Sequence, residues 1–297
     1  MSKISWICDI NPLSNANSGA ELSEKMVINE GIRQGHDINI FTPQSGLNGS
    51  AATDFVIIGN ASLFEREDLI KLAEIRPTIF YVHDFFPLCK YRLYYPDLEK
   101  CKTTCLNLDF TKEFMLSTVM NIFLSPLHKD LWESAIPELA DHPSYLHPSP
   151  IDTSTFRLYN NINRLEGTVV GVNSLLGFKG KENILAYVND HSSTSFTFFG
   201  GKDPDVKLPP NATYLGPVPN YEMPGIFAQA ESYIHLPSTC DPFCRTAVEA
   251  KLCGAKVITN KLVGATSYPE FRLPYDEFVE WISNSPRNFW TEVSEYV

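Results

Sequence analysis

The chain has 297 residues, a length that suits two α/β domains of about 150 residues, each able to bury its own core. Its 24 Lys and Arg against 35 Asp and Glu give a net charge of -11, which repels polyanions and argues against a protein that binds nucleic acid over its whole surface. The opening MSKISWICDI holds only a short apolar run that stops at Asp9, unlike a signal peptide, and no stretch reaches the roughly 18 apolar residues of a membrane span. A cytoplasmic location is therefore expected, with peripheral membrane contact left open. The cysteines at 8, 89, 101, 105, 240, 244 and 253 are an odd set in a chain without an export signal, which favours reduced thiols. Cys89, Cys101 and Cys105 fall in one loop, but no second close pair or His completes a familiar ligand spacing, and no metal is expected.

Short β-rich apolar runs alternate with helical patterns, the signature of parallel sheets with crossover helices. Residues 4–8, 38–41, 55–58, 78–82 and 122–124 read as buried strands, and 20–34, 65–75 and 127–135 as helices, with Gly35 a helix stop. A Pro-rich passage over 137–150 interrupts the pattern, and Pro148-Ser149-Pro150 cannot continue a helix, so the interdomain connection is placed there. Strands then resume at 168–172, 196–199, 214–215, 233–236 and 257–259, with helices at 182–189, 223–229, 245–253 and 277–282. The pattern predicts two Rossmann-like domains, 1–150 and 151–297, with a cleft between them. No repeat of 20 to 50 residues suggests a solenoid, and no strand is followed by the Gly-x-Gly-x-x-Gly of a nicotinamide enzyme.

Residues 236–259, LPSTCDPFCRTAVEAKLCGAKVIT, read as a strand end, a loop, a helix and the next strand. Asp241 and Glu249 stand eight positions apart, one in the loop and one in the helix, at the carboxyl edge of the strands where open α/β sheets bind ligands. A carboxylate there can accept from the vicinal hydroxyls of a ribose or hexose. From spacing alone, a helix-dipole partner and a solvated helix face fit the two residues equally well.

This segment resembles the signature of glycosyltransferase family 4, in which Pro-Ser, Glu-x7-Glu with Pro-Phe-Gly inside it, and Glu-Ala-x-x-x-Gly-x-Pro-Val-Ile follow one another. The matching positions are Pro237, Ser238, Pro242, Phe243, Glu249, Ala250, Gly254, Val257 and Ile258. Asp241 stands in place of the first Glu, keeping the charge on a shorter stem, and Cys244 replaces the Gly beside the donor sugar, narrowing that space. Ser18-Gly19-Ala20-Glu21 and the Gly35-His36-Asp37 that follows resemble the family's Gly-Gly-Ala-Glu and Arg-Gly-His segments, with Gly19 at a helix start suited to a diphosphate. His83-Asp84 resembles the family's His-Asp strand end, whose His lies beside the transferred sugar. Val170-Gly171 through Lys179-Gly180 looks like Gly-Arg-x(4)-Lys-Gly, where two cations hold the donor diphosphate. Here Lys179 is present, the Arg is missing, Asn173 or Ser174 stands near its place, and Lys202 is the alternative cation. Lys90, Tyr91 and Arg92 mix cations with an aromatic next to the His-Asp edge, as an acceptor contact or a solvated loop would.

The resemblance implies the GT-B fold, α/β with two facing Rossmann-like domains of mostly parallel sheet, and a hexosyltransferase that retains anomeric configuration without a metal or other cofactor. The donor would be a nucleotide-diphosphate sugar in the second domain, and the acceptor a glycan, lipid-linked or nucleic-acid hydroxyl in the first. His83 and Asp241 would be catalytic, with Gly19, Asn173, Lys179, Phe243, Cys244, Arg245 and Glu249 at the donor and Asp84, Lys90, Tyr91 and Arg92 at the acceptor. Two other readings stay open at this stage: a nucleotide-sugar hydrolase or epimerase on the same fold, and a non-catalytic nucleotide-sugar-binding partner subunit. Neither the donor base nor the oligomeric state is specified.

Overall fold

The computed structural model describes residues 2–14, 16, 18–89, 91–93 and 107–296. The chain divides into two units, one of Met1–Pro150 with Asn284–Val297 and one of Ile151–Ser283.

The first unit holds strands β1 (Lys3–Ile7), β2 (Asp37–Phe41), β3 (Phe55–Ile58), β4 (Thr78–Val82), β5 (Met120–Phe123) and β6 (Ser144–Leu146) in the order β2-β1-β3-β4-β5-β6. Every neighbouring pair is parallel. Helices α1 (Gly19–Arg33), α2 (Arg66–Ile75), α3 (Leu108–Ser117) and α4 (Pro126–Ala135) provide described crossovers. The central strands FVII and TIFYV are buried at every position, as expected of parallel strands covered on both faces. Helix α1 starts in a capping box, with the Ser18 amide donating to Glu21 Oε2 at 2.6 Å, and stops before Gly35 at φ 92°.

The second unit holds β7 (Leu165–Val172), β8 (Ser195–Phe199), β9 (Ala212–Gly216), β10 (Ala230–His235) and β11 (Lys256–Thr259) in the order β11-β10-β7-β8-β9, again all parallel. Its helices are α5 (Lys181–Asp190), α6 (Met223–Gln229), α7 (Arg245–Leu252) and α8 (Tyr275–Ser283). The core between sheet and helix gathers Val169, Ile184, Val188, Phe196, Phe198 and Ile234.

One boundary differs from the sequence expectation. The last helix, α9 (Ser285–Val293), belongs to the first unit, although the sequence pattern assigned residues 151–297 to the second domain. Its buried face carries Phe289, Trp290 and Val293, and Trp290 Nε1 donates to the Val27 carbonyl at 2.7 Å while its ring stacks on His36 at 4.7 Å. Among the described residues no helix is long and apolar enough to cross a membrane.

Candidate functional site

In the second sheet β7 lies between β10 and β8, so the loops after β7 and β10 part at the switch point where open α/β sheets take ligands. Those loops carry Lys179 and Asp241, and the two side chains meet: Lys179 Nζ donates to Asp241 Oδ2 at 2.7 Å. His235, the last residue of β10, places Nε2 3.0 Å from the same oxygen. The backbone fixes the carboxylate as well, because Asp241 N donates to Leu262 O and Gly264 N donates to Asp241 O, both at 2.9 Å. Close packing of the two loops depends on Gly180. It has φ 91°, and a Cβ there would lie 1.8 Å from the Leu236 carbonyl oxygen.

The electrostatics follow from this geometry. Burial alone would raise the Asp241 pKa, but the Lys179 charge and the His235 contact outweigh it and hold the carboxyl well below the usual range. Burial alone would lower His235, yet the Cys244 sulfur and Asp241 together raise it to about 9, so the imidazole is protonated at neutral pH. Its Nδ1 is buried without a hydrogen-bond partner. Burial also works against the Lys179 charge, and Asp241 reverses that effect to raise its pKa. One carboxylate thus serves two basic side chains, leaving two further ammonium protons on Lys179. The positive end of α5 begins two residues beyond Lys179.

Cys244 caps α7 in a left-handed conformation, φ 65°, with Sγ 3.5 Å from Thr246 Oγ1 and 3.8 Å from Tyr233 OH. Nitrogen, oxygen and sulfur of His235, Asp241 and Cys244 lie within 4.8 Å of one another, a set with the chemistry of a metal trio. The Lys179 ammonium already holds the Asp241 oxygen, and its charge opposes a cation there. Glu249 is 3% exposed inside α7, with Arg245 Nε 3.7 Å from its Oε1, so it is not on a solvated face. Burial raises its pKa and Arg245 partly opposes this. Phe243 is buried with its ring edge-on to Tyr268. Asn173, at φ 55°, accepts from Gly201 N at 2.6 Å and lines a cavity of about 270 Å³ with Val172, Phe199, Gly200, Pro217 and Met223, at the carboxyl ends of β7, β8 and β9. Lys202 sits over the Tyr214 ring and donates to the Asp203 carbonyl instead of joining the Lys179 group.

In the first sheet the switch falls between β1 and β3, and the loops after β1, β3 and β4 are tied together. The Asp9 carboxylate accepts from Ser62 N, Ser62 Oγ and Leu63 N at 3.0, 2.6 and 2.8 Å. Arg92 donates to Asp84 Oδ2 at 2.6 Å and to Asn60 Oδ1 at 2.5 Å. Asp84 and Arg92, expected at an acceptor, therefore spend their charges on each other and on the loop after β3, while Tyr91 is exposed. Lys90, Cys101 and Cys105 lie outside the described residues. Gly19 is the first residue of α1. His83 follows β4, is 9% exposed, and sets Nε2 3.0 Å from Glu24 Oε1 on α1.

Sequence reasoning missed two members of these groups, His235 and Glu24. His235 ends an apolar strand, where a His reads as core. Glu24 lies one helical turn beyond Glu21, and only its full burial distinguishes it from an ordinary helix-surface acid.

No family model matches the sequence, and no curated protein matches it. Solved structures do. HepE from Anabaena in complex with UDP and glucose superposes with a TM-score of 0.60 at 14% identity, over 98% of this chain and 95% of that one. Sucrose-phosphate synthase from Thermosynechococcus elongatus gives 0.68 at 14%, over 99% and 91%. An alpha-glucosyltransferase in complex with UDP-glucose and DNA containing an abasic site gives 0.57 at 14%, over 99% and 90%. The fold is GT-B. Within it, the Lys179–Asp241–His235 group stands at the switch point of the carboxyl-terminal sheet, and His83 after the fourth strand of the amino-terminal one.

Proposed function

We propose that this chain is a glycosyltransferase that moves a hexosyl group from a uridine diphosphate sugar to an acceptor hydroxyl, with retention of anomeric configuration and without a metal. The observation that carries the reading is the Lys179–Asp241–His235 group at the switch point of the second sheet. A diphosphate leaving group gathers negative charge as the glycosidic bond breaks, and the Lys179 ammonium and the start of α5 stabilise it where it forms. The sugar centre gathers positive charge, which the Asp241 carboxylate favours. Glu249 takes the ribose hydroxyls, and Asn173, beside its cavity, contacts the donor nucleotide. Uridine diphosphate is favoured because HepE and the alpha-glucosyltransferase were each solved with UDP or its glucose ester. His83, in the first unit, is the second catalytic residue, and the first unit receives the acceptor.

The test is incubation of the full chain with UDP-glucose in excess chelator, against oligosaccharide, lipid-linked and DNA acceptors. UDP release would be followed by chromatography and the product anomer by proton NMR. Release in chelator with an α-linked product is expected. A β-linked product would overturn retention, and activity restored only by a divalent ion would overturn metal independence. Absence of both UDP binding and UDP release would overturn the transferase reading itself.

A further inference from the structure

Helix α1 carries a carboxylate to which the mechanism above gives no part. Glu24 is fully buried, and among the described residues no Lys or Arg pairs with it. Its surroundings come from β1, from the loop after β3 and from the end of β4. Asn60 N donates to Glu24 Oε1 at 2.8 Å, and His83 Nε2 stands 3.0 Å from the same oxygen without hydrogen-bond alignment. A Cβ on Gly59 would fall 2.0 Å from Oε1 and 3.3 Å from Trp6 Nε1, so no larger residue fits where these groups converge. Burial, and then the Glu24 charge, push the Cys8 thiol above its ordinary range, so Cys8 adds no negative charge at neutral pH.

A buried carboxylate without a cation is costly unless polar hydrogens face it. Two bare lone pairs held 3.0 Å apart would repel each other, so a proton lies between Nε2 and the Glu24 carboxyl, and a neutral ring that carries it there has only Nδ1 bare. Nδ1 is then the nitrogen left for a ligand. The Tyr81 ring, 4.2 Å from the His83 ring between centroids, limits rotation of the imidazole.

We propose that Glu24 is a positioning residue that locks His83 with Nε2 protonated, so that Nδ1 accepts a hydrogen bond from a hydroxyl of the substrate. This rests on the proposed function for the catalytic part of His83, but not for the state of the ring. It assigns His83 the part of a hydrogen-bond acceptor for a hydroxyl and excludes donation through Nδ1.

The test uses the full chain with ¹⁵N-labelled histidine, as wild type and as Glu24→Gln, Glu24→Asp and His83→Gln. Two-bond proton–nitrogen spectra report the tautomer, and UDP release from UDP-glucose reports turnover. In the wild type, His83 should show a protonated Nε2 and a bare Nδ1. Glu24→Gln keeps the shape and the Asn60 contact but removes the charge. It should mix the two tautomers and lower kcat about tenfold with an unchanged KM, and Glu24→Asp should restore part of both. A protonated Nδ1 in the wild type, or the same His83 spectrum in wild type and Glu24→Gln, would overturn the lock whatever the activity. A tautomer that mixes as expected in Glu24→Gln, with UDP release unchanged in His83→Gln, would overturn the catalytic part of His83 and leave the donor site of the second unit standing.

Discussion

Asp241 and Glu24 are both buried carboxylates beside the switch point of a parallel sheet, yet their surroundings differ. Asp241 shares one oxygen between a lysine and a protonated histidine and stays ionised far into acid. Glu24 faces one backbone amide, one imidazole and the Cys8 thiol. The first arrangement fixes charge, which suits binding and stabilising a diphosphate. The second fixes the orientation and proton of a ring, which suits recognition of a hydroxyl. Two similar folds can thus use the same side-chain type for different work, and the neighbours decide which.

The largest expected effect tests the first arrangement. Asp241→Ala leaves the buried His235 and the half-buried Lys179 without their anion, which should cost about 3 kcal/mol of stability, read as a shift of the urea midpoint. The same variant should lose about 10²-fold in kcat if the carboxylate supplies some 2.7 kcal/mol to the transition state. Wild-type values for both would make Asp241 a bystander. Next in size, Glu249→Ala should raise the donor KM roughly tenfold and leave kcat alone, since ribose contacts are the same in ground and transition states. A fall in kcat at constant KM would move Glu249 to the reacting sugar.

The pH dependence sharpens the contrast further. His235 has its folded pKa raised to about 9, above the roughly 6.5 of an unfolded histidine, so its contribution is fully present below pH 6.5 and lost as pH rises through 9. Chemical denaturation from pH 6 to 10 should therefore show falling stability in the wild type and a flatter curve in His235→Asn, with each pK unit worth about 1.4 kcal/mol. Parallel curves would show that His235 is neutral in the folded protein. The smallest effect belongs to Arg92→Ala. Its pair with Asp84 is partly exposed, and the loss should be about 1 kcal/mol or less by denaturant titration. A loss several times larger would mean that the tie between the loops after β3 and β4 holds the first unit together.

Much of the scaffold was legible because parallel strands buried on both faces write continuous apolar runs, as in FVII and TIFYV. The three-residue strand β6 lay inside a Pro-rich passage, where its period was too short to register. Helices α3 and α9 were missed too. The second lies inside the expected second domain, and nothing local says that its Phe289 and Trp290 face belongs to the first unit. At the site, the spacing of Asp241 and Glu249 and the place of Lys179 came from the signature segment and its companion loop. Their partners did not, because His235 and Glu24 gain their meaning only from side chains brought in by other strands and helices.

The central claim, that the switch point of the second unit binds a nucleoside diphosphate through Lys179, is tested most directly by calorimetric titration of UDP into the wild type and Lys179→Ala, with folding checked by circular dichroism. The wild type should bind UDP in chelator, and the variant should bind it about 10- to 150-fold more weakly, the loss of one charge-assisted contact of roughly 1.5 to 3 kcal/mol. Equal affinity in the two proteins, or no binding of UDP by either, would contradict the claim.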